Sequence, residues 1–228
     1  TLQVQTSSGS RVEARVTSLA DTVAELSAAL VNGTAELTWQ PPNESPKGYG
    51  LEITLLDENG STLATAATAF DVLDHWIQAP RYGFFSDFTS ERAGDAETVD
   101  WLLRHHINGL QFYDWQYRWE DLIPAEDRFE DGLGRAQSMV TIRNLIDLLH
   151  TGKIAAMPYT AIYGASYAFY RQHQDWALFD ARGTAYTFGD NLIGIMDATP
   201  GSPWNTHLQA EFADVLDNTA FDGIHIDQ

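Results

Sequence analysis

Cysteine is absent from the 228 residues, so no disulfide staples this chain and no thiolate serves as nucleophile or ligand. That absence leaves the compartment open. Lysine is nearly as scarce, with only Lys47 and Lys153. Basic residues number 13 against 32 acidic, a formal net charge of -19. Such a surface repels nucleic-acid backbones and anionic membranes, and no basic stripe offsets it, so nucleic acid is not expected as a partner. A neutral ligand such as a carbohydrate would not feel this field. Acidity with arginine favoured over lysine fits a high-salt habitat, where self-repulsion is screened, and fits an ordinary acidic secreted enzyme as well; both stay open. Long apolar runs are also missing. No stretch approaches ~18 consecutive apolar residues, so no membrane span is expected. The opening "TLQVQTSSGS" lacks the basic and apolar regions of a signal peptide, which implies that any export signal has been removed or lies outside the segment.

What is present divides in two. A hydrophobic content of 44% supports a packed core in one large domain or two smaller ones. Over residues 1–72 the pattern is that of strands and turns. "RVEARVTS" alternates Val12, Ala14 and Val16 on one face, "GTAELTWQPP" is a short strand ended by Pro41 and Pro42, and "GLEITLLDENGSTLATAATAF" reads as a hairpin about Asn59-Gly60. "TVAELSAALVNG" has leucines at helical spacing, but its setting favours a strand. Turn clusters at this spacing are consistent with a small sandwich. No charged or aromatic cluster there signals chemistry, so a supporting module is expected.

Over residues 73–228, with a junction between Phe70 and Pro80, short apolar runs alternate with amphipathic stretches. "RYGFFSDF", "INGLQFYDW", "KIAAMPYTAIYG" and "FDGIHID" read as strands. "DAETVDWLLRHH", "SMVTIRNLIDLLHTG", "SYAFYRQHQDWALF" and "SPWNTHLQAEFADVLDNT" read as helices, with Ser138 as a cap, Gly152 as a stop and a Ser-Pro start for the last. Alternation of this kind predicts a parallel sheet covered by helices. "FFSDFTSERAG" offers no glycine nest for a pyrophosphate, which argues against a dinucleotide fold. The expected architecture is therefore the first half of a (β/α)8 barrel. An apolar, β-branched ending at "FDGIHIDQ" reads as part of a longer protein.

Each strand ends on groups that can carry chemistry: Asp87 after the first, Tyr113, Asp114 and Trp115 after the second, Tyr159 and Tyr163 on the third, His225 and Asp227 on the fourth. Alternation puts Gly223, His225 and Asp227 on one face, with Ile224 and Ile226 opposite and expected against helices. Each has an ordinary reading beside the functional one. An Asp after a strand often caps the next helix, and a lone strand histidine reads first as a hydrogen-bonded core residue. Trp115, Tyr117 and Trp119, however, stand among Asp, Arg and Gln, where simple burial is not the first expectation. Aromatic rings flanked by carboxylates suit a sugar, whose C–H faces stack while its hydroxyls bond to acids. Other chemistries lack support. His105 and His106 are adjacent on a helix and cannot share one face, and no zinc spacing, nucleophile elbow or P-loop occurs. "EDGLGRA" is too weak a glycine pattern to count. No cofactor and no metal are expected.

"RYGFFSDF", "LQFYDWQYRW", "MPYTAIYGA", "WALFD" and "FDGIHIDQ" together resemble segments of glycoside hydrolase family 66, closely from residue 71 onward. The resemblance implies an immunoglobulin-like β-sandwich over residues 1–72 and the first half of a (β/α)8 barrel over 73–228. It implies a retaining, endo-acting hydrolase of α-1,6-linked glucan, a dextranase, or else the cyclising cycloisomaltooligosaccharide glucanotransferase of the same family. A glucan-binding protein without turnover is the alternative from another class. Asp227 matches the family's nucleophile, and no Glu follows it, so the acid/base is expected beyond residue 228 and the segment alone is expected to be inactive. Asp114, Trp115, Tyr113, Tyr159, Tyr163, Asp87 and His225 are the expected substrate-binding residues. A secreted monomer acting on dextran or isomaltooligosaccharides is the implied setting.

Overall fold

The computed structural model describes residues 1–227; Gln228, the last letter of "GIHIDQ", lies outside the described residues. The chain divides into two compact units, Thr1–Ala79 and Pro80–Gln228.

In the first unit, alternation of side chains sets the strands. They are β1 (Leu2–Gln5), β2 (Arg11–Ser18), β3 (Asp21–Ala29), β4 (Thr34–Leu37), β5 (Lys47–Leu56) and β6 (Thr62–Val72). In β2, Val12, Ala14 and Val16 are buried while Arg11, Glu13 and Arg15 face out. Four strands make an antiparallel sheet in the order β3-β2-β5-β6, and β1 pairs antiparallel with β4. Val12, Ala14, Ala35 and Leu37 form their core. The β5–β6 turn is built by Asp57, whose Oδ1 accepts from the amides of Asn59 at 2.8 Å and Ser61 at 2.7 Å. Beyond β6 the chain stays with this unit. The amide of Asp74 donates to Ser45 Oγ at 2.9 Å, and Ser45 Oγ donates to Gln78 Oε1 at 3.0 Å.

The second unit runs, in chain order, β7 (Tyr82–Phe85), α1 (Ala96–Arg104), β8 (Gly109–Phe112), β9 (Arg128–Glu130), β10 (Ala136–Ser138), α2 (Met139–Thr151), β11 (Ala155–Ala161), β12 (Gly164–Ser166), α3 (Tyr167–Gln172), β13 (Thr187–Phe188), β14 (Ile193–Ile195), α4 (Pro203–Asn218) and β15 (His225–Asp227). Its helices start on side-chain caps. Asp95 accepts from the Thr98 amide, Ser138 from Thr141, Ser166 from Phe169 and Ser202 from Asn205, the last with Pro203 in the first turn. Strands β7, β8, β11 and β15 pair in parallel, in the order β15-β11-β8-β7. Successive residues then face opposite ways. Phe85, Leu110, Phe112 and Ala156 join Val99 and Leu102 of α1 and Ile142, Leu145, Ile146 and Leu149 of α2 in the main core. Ile224 packs there as expected, but Ile226, on the edge strand β15, is 56% exposed.

The expected fold class is corrected here. Among the described residues the chain is mostly β, with fifteen strands to four α-helices and with both parallel and antiparallel sheets. The parallel strands form an open sheet of four and no barrel. Five further strands of this unit lie in antiparallel ribbons, β9 with β10 and β12-β14-β13, that interrupt the β/α alternation. The first unit is likewise a four-strand sheet and a two-strand ribbon, short of the seven strands of an immunoglobulin domain. The barrel was expected from the β/α alternation and the family resemblance, and the immunoglobulin domain from the resemblance; the short ribbons are what the alternation did not show.

The main core makes one stability expectation direct. Leu145 is fully buried between α2 and the sheet. Leu145→Ala is expected to cost about 2–5 kcal/mol in urea unfolding, against less than about 0.5 kcal/mol for exposed Asp147→Asn. A loss below about 1 kcal/mol at Leu145 would contradict this packing.

Candidate functional site

At the carboxyl ends of the parallel strands, where open α/β sheets bind ligands, a row of rings and carboxylates meets. Pairing in register sets Tyr159 of β11 beside His225 of β15, and Ala161 beside Asp227. The Tyr159 hydroxyl donates to Asp227 Oδ2 at 2.7 Å. Burial pushes the Tyr159 phenol well above its ordinary range, and the bond to Asp227 and its negative charge push the same way. Tyr159 therefore keeps its proton and remains a donor to Asp227. It packs with Trp119, Ala161 and Ile193. The His225 imidazole lies near-parallel to Tyr159 at 6.0 Å and to Tyr82 at 5.5 Å, and its Nδ1 is 3.1 Å from the Tyr82 hydroxyl. Burial pushes the Tyr82 phenol up to about 12, so the Tyr82 hydroxyl also stays protonated. Gly223 is where a side chain would crowd Met157, whose Sδ would lie 3.2 Å from an added Cβ.

Beyond β8 the chain turns sharply. Tyr113, 37% exposed, stacks obliquely on Tyr159 with centroids 4.5 Å apart. Asp114 follows with φ +52, the left-handed region that costs a non-glycine residue of order 1 kcal/mol. Its carboxylate is mostly covered, and Arg135 reaches it at 3.2 Å from the β9–β10 hairpin. Burial raises the Asp114 carboxyl above its ordinary value, with Arg135 opposing that rise and Asp131 adding to it. Tyr163 packs against the group of Trp119, Tyr159, Ala161 and Ile193. Burial lifts its phenol, and the charges of Asp227 and Asp114, with Tyr113 between them in effect, lift it further. Asp227, Tyr159, His225, Tyr113, Asp114 and Tyr163 thus form one cluster.

Two expected residues stand apart from it. Trp115 is fully buried, its indole Nε1 donating to the Tyr159 carbonyl at 3.1 Å, with Phe221 against its ring at 5.1 Å. It supports the site from beneath and has no free face for a sugar, so the expected platform role is corrected. Trp119 is buried as well. Asp87 is exposed, and its Oδ1 accepts from the Thr89 amide at 3.0 Å, a local turn role.

Sequence reasoning missed the hairpin residues Asp131 and Arg135, and Tyr82. The signal for the first two was the Asp-Gly pair inside "EDGLGRA", which marks a tight hairpin with an acid and a base four residues apart. Gly132 there lies flat on Trp119, where an added Cβ would sit 2.5 Å from the ring. Larger clefts exist in the first unit, one on the exposed sheet face about Glu13, Arg15, Glu25 and Glu52 and one apolar about Trp39 and Phe70, but neither gathers comparable groups.

The whole chain, residues 1–228, matches the model of glycosyl hydrolase family 66. The chain belongs to that family. Family 66 relatives include a cycloisomaltooligosaccharide glucanotransferase of Niallia circulans, 32% identical over 222 residues, covering 89% of this chain and 22% of the relative. A dextranase of Streptococcus salivarius is 23% identical over 231 residues, covering 86% of this chain and 26% of the relative. Among solved structures, a cycloisomaltooligosaccharide glucanotransferase of Paenibacillus sp. complexed with cycloisomaltoheptaose superposes with a TM-score of 0.78 at 30% identity, over 96% of this chain and 33% of that one. This family 66 chain therefore spans about a quarter of the curated relatives it matches.

Proposed function

We propose that this chain carries the nucleophile half of the active site of a retaining glycoside hydrolase that cuts α-1,6-glucosidic linkages inside dextran. The observation that carries the reading is Asp227, half-buried at the carboxyl end of a parallel strand with its Oδ2 held at 2.7 Å by a tyrosine that keeps its proton. Asp227 Oδ1 attacks the anomeric carbon of a bound glucose. The C1–O6 bond breaks, and the departing oxygen takes a proton from a second carboxylic acid, by family resemblance a Glu outside the described residues, about 5–5.5 Å from the first. Water, deprotonated by that same group, then releases the sugar. Tyr113 and Tyr163 offer ring faces beside the reacting glucose, and Asp114 offers a carboxylate to its hydroxyls. Dextran is polymeric, so the proposed site of action is outside the cell.

A cyclising transferase is the second reading, favoured by the 32% identical Niallia circulans relative and by the Paenibacillus sp. structure. The full-length protein, incubated with dextran, starch and a β-glucan, separates these. Hydrolysis predicts loss of viscosity on dextran alone, ahead of reducing-end release, with linear products. Cyclic isomaltooligosaccharides as the main product would replace the first reading with the second. Binding without cleavage of any of the three would overturn both.

A further inference from the structure

Asp131 is buried to the point that its side chain is 3% exposed, yet every bond it accepts is accounted for. Its Oδ1 takes the amides of Leu133 and Arg135, each at 2.9 Å. Its Oδ2 takes Arg135 Nε at 2.7 Å and Gln137 Nε2 at 3.2 Å. Gln137 is itself buried and anchored by the Phe88 amide at 3.1 Å. Burial alone would raise the Asp131 carboxyl, but the bonds from Arg135, Gln137 and Leu133 outweigh it and hold Asp131 below the usual carboxylate range. A hairpin staple would need no more than this. Arg135 goes further. Its Nη2 reaches out of the hairpin to the Asp114 carboxylate at 3.2 Å and to the Asp114 carbonyl at 3.3 Å. One guanidinium thus grips both the side chain and the left-handed backbone of a residue in the candidate site. A backbone outlier gripped from a second element is where function, more than stability, is to be sought.

We propose that Arg135, aimed by Asp131, is a positioning residue that fixes Asp114 as an ionised acceptor for a hydroxyl of the bound glucan. This rests on the functional reading above for the ligand, but not for the clamp itself. The groups facing Asp114 define the expectation. Arg135 and Asp131 face it from the hairpin, Arg118 lines the same small cavity from the segment after β8, Tyr113 precedes it in the turn after β8, and Tyr163, in the segment after β11, feels the charges of both Asp114 and Asp227. Arg135 is the cation that opposes the effect of burial on Asp114, while Asp131 adds to that effect. Without Arg135, Asp114 gains its proton at a higher pH and loses its place. A guanidinium bridges two carboxylates and a carbonyl in one plane, which a lysine ammonium does not reproduce.

The test uses full-length protein carrying Asp227→Asn, to stop turnover, and calorimetric binding of isomaltotriose between pH 5 and pH 8. Arg135→Gln is expected to weaken binding at least about tenfold at pH 5, the size of one lost charge-assisted bond, and less at pH 8. Arg135→Lys should fall between, and Asp131→Asn should resemble Arg135→Gln more weakly. In an Asp114→Asn background, Arg135→Gln should add less than about twofold at any pH. Equal binding by Arg135→Gln and its parent across the range would overturn the proposal, as would a full additional loss in the Asp114→Asn background. Should Arg135→Gln fail to fold, Arg135→Lys and Asp131→Asn are read by the same criteria. A parent that binds no isomaltotriose overturns the functional reading alone. The clamp is then decided by carboxyl NMR, which must show Asp114 titrating at higher pH in Arg135→Lys or Arg135→Gln than in the parent; an unmoved titration overturns it.

Discussion

Asp227→Gly in the full-length protein is expected to abolish dextran cleavage, by on the order of 10⁴-fold or more, as removal of a covalent nucleophile does. The fold should survive. Asp227 is half-buried on an edge strand, and among the described residues its carboxylate accepts from the Tyr159 hydroxyl, so the change removes a charge-assisted hydrogen bond worth about 1.5–3 kcal/mol. Glycine also leaves a space the size of the lost carboxylate. Azide entering that space is expected to restore turnover for substrates whose leaving group departs without protonation, giving a β-glycosyl azide. For dextran, whose leaving oxygen needs a proton, azide should restore little. Undiminished cleavage by a correctly folded Asp227→Gly protein would remove Asp227 from the mechanism.

The second large effect is expected at Asp114. Asp114→Asn keeps shape and removes charge, so it isolates the ionised acceptor from the packing around it. The lost charge-assisted bond to a sugar hydroxyl is worth about 1.5–3 kcal/mol, or roughly 10- to 150-fold in kcat/KM. Arg135 then keeps Asp131 as its carboxylate partner and the carbonyl of residue 114 as an acceptor. Asp147→Asn on the exposed face of α2 should stay within about twofold of the parent. Small and equal effects from the two substitutions would take Asp114 out of the site.

Local signals were read correctly wherever one residue type settles one backbone feature. Ser138 capping α2, Gly152 ending it, Ser202-Pro203 opening α4 and the alternation of Val12, Ala14 and Val16 were all visible in the chain. The ribbons were not. Strands β9, β10 and β12 to β14 are two or three residues long, too short for a periodicity, and β12 finds its partner β14 only through a long-range pairing, Ser166 with Ile193. Without them the β/α alternation looked uninterrupted, which is how a barrel came to be expected. At the site, strand ends gave Asp227, His225, Tyr159, Tyr113 and Asp114. Charged neighbours in "FYDWQYRW" pointed Trp115 and Trp119 toward solvent. Trp115 is buried because the Tyr159 carbonyl satisfies its one polar atom. Arg135 was hidden for the opposite reason, since its pairing with Asp114 exists only once the hairpin closes.

A covalent intermediate on Asp227 is the central claim, and trapping it is the most direct measurement. Full-length protein is incubated with a mechanism-based glucosyl inhibitor that slows release of the glycosyl-enzyme, digested, and sequenced by mass spectrometry. The expected result is one glucosyl adduct, on the peptide containing "FDGIHID", with fragment ions placing it on Asp227 and none formed by Asp227→Gly. An adduct on another carboxylate, in protein that was active before trapping, would contradict the account.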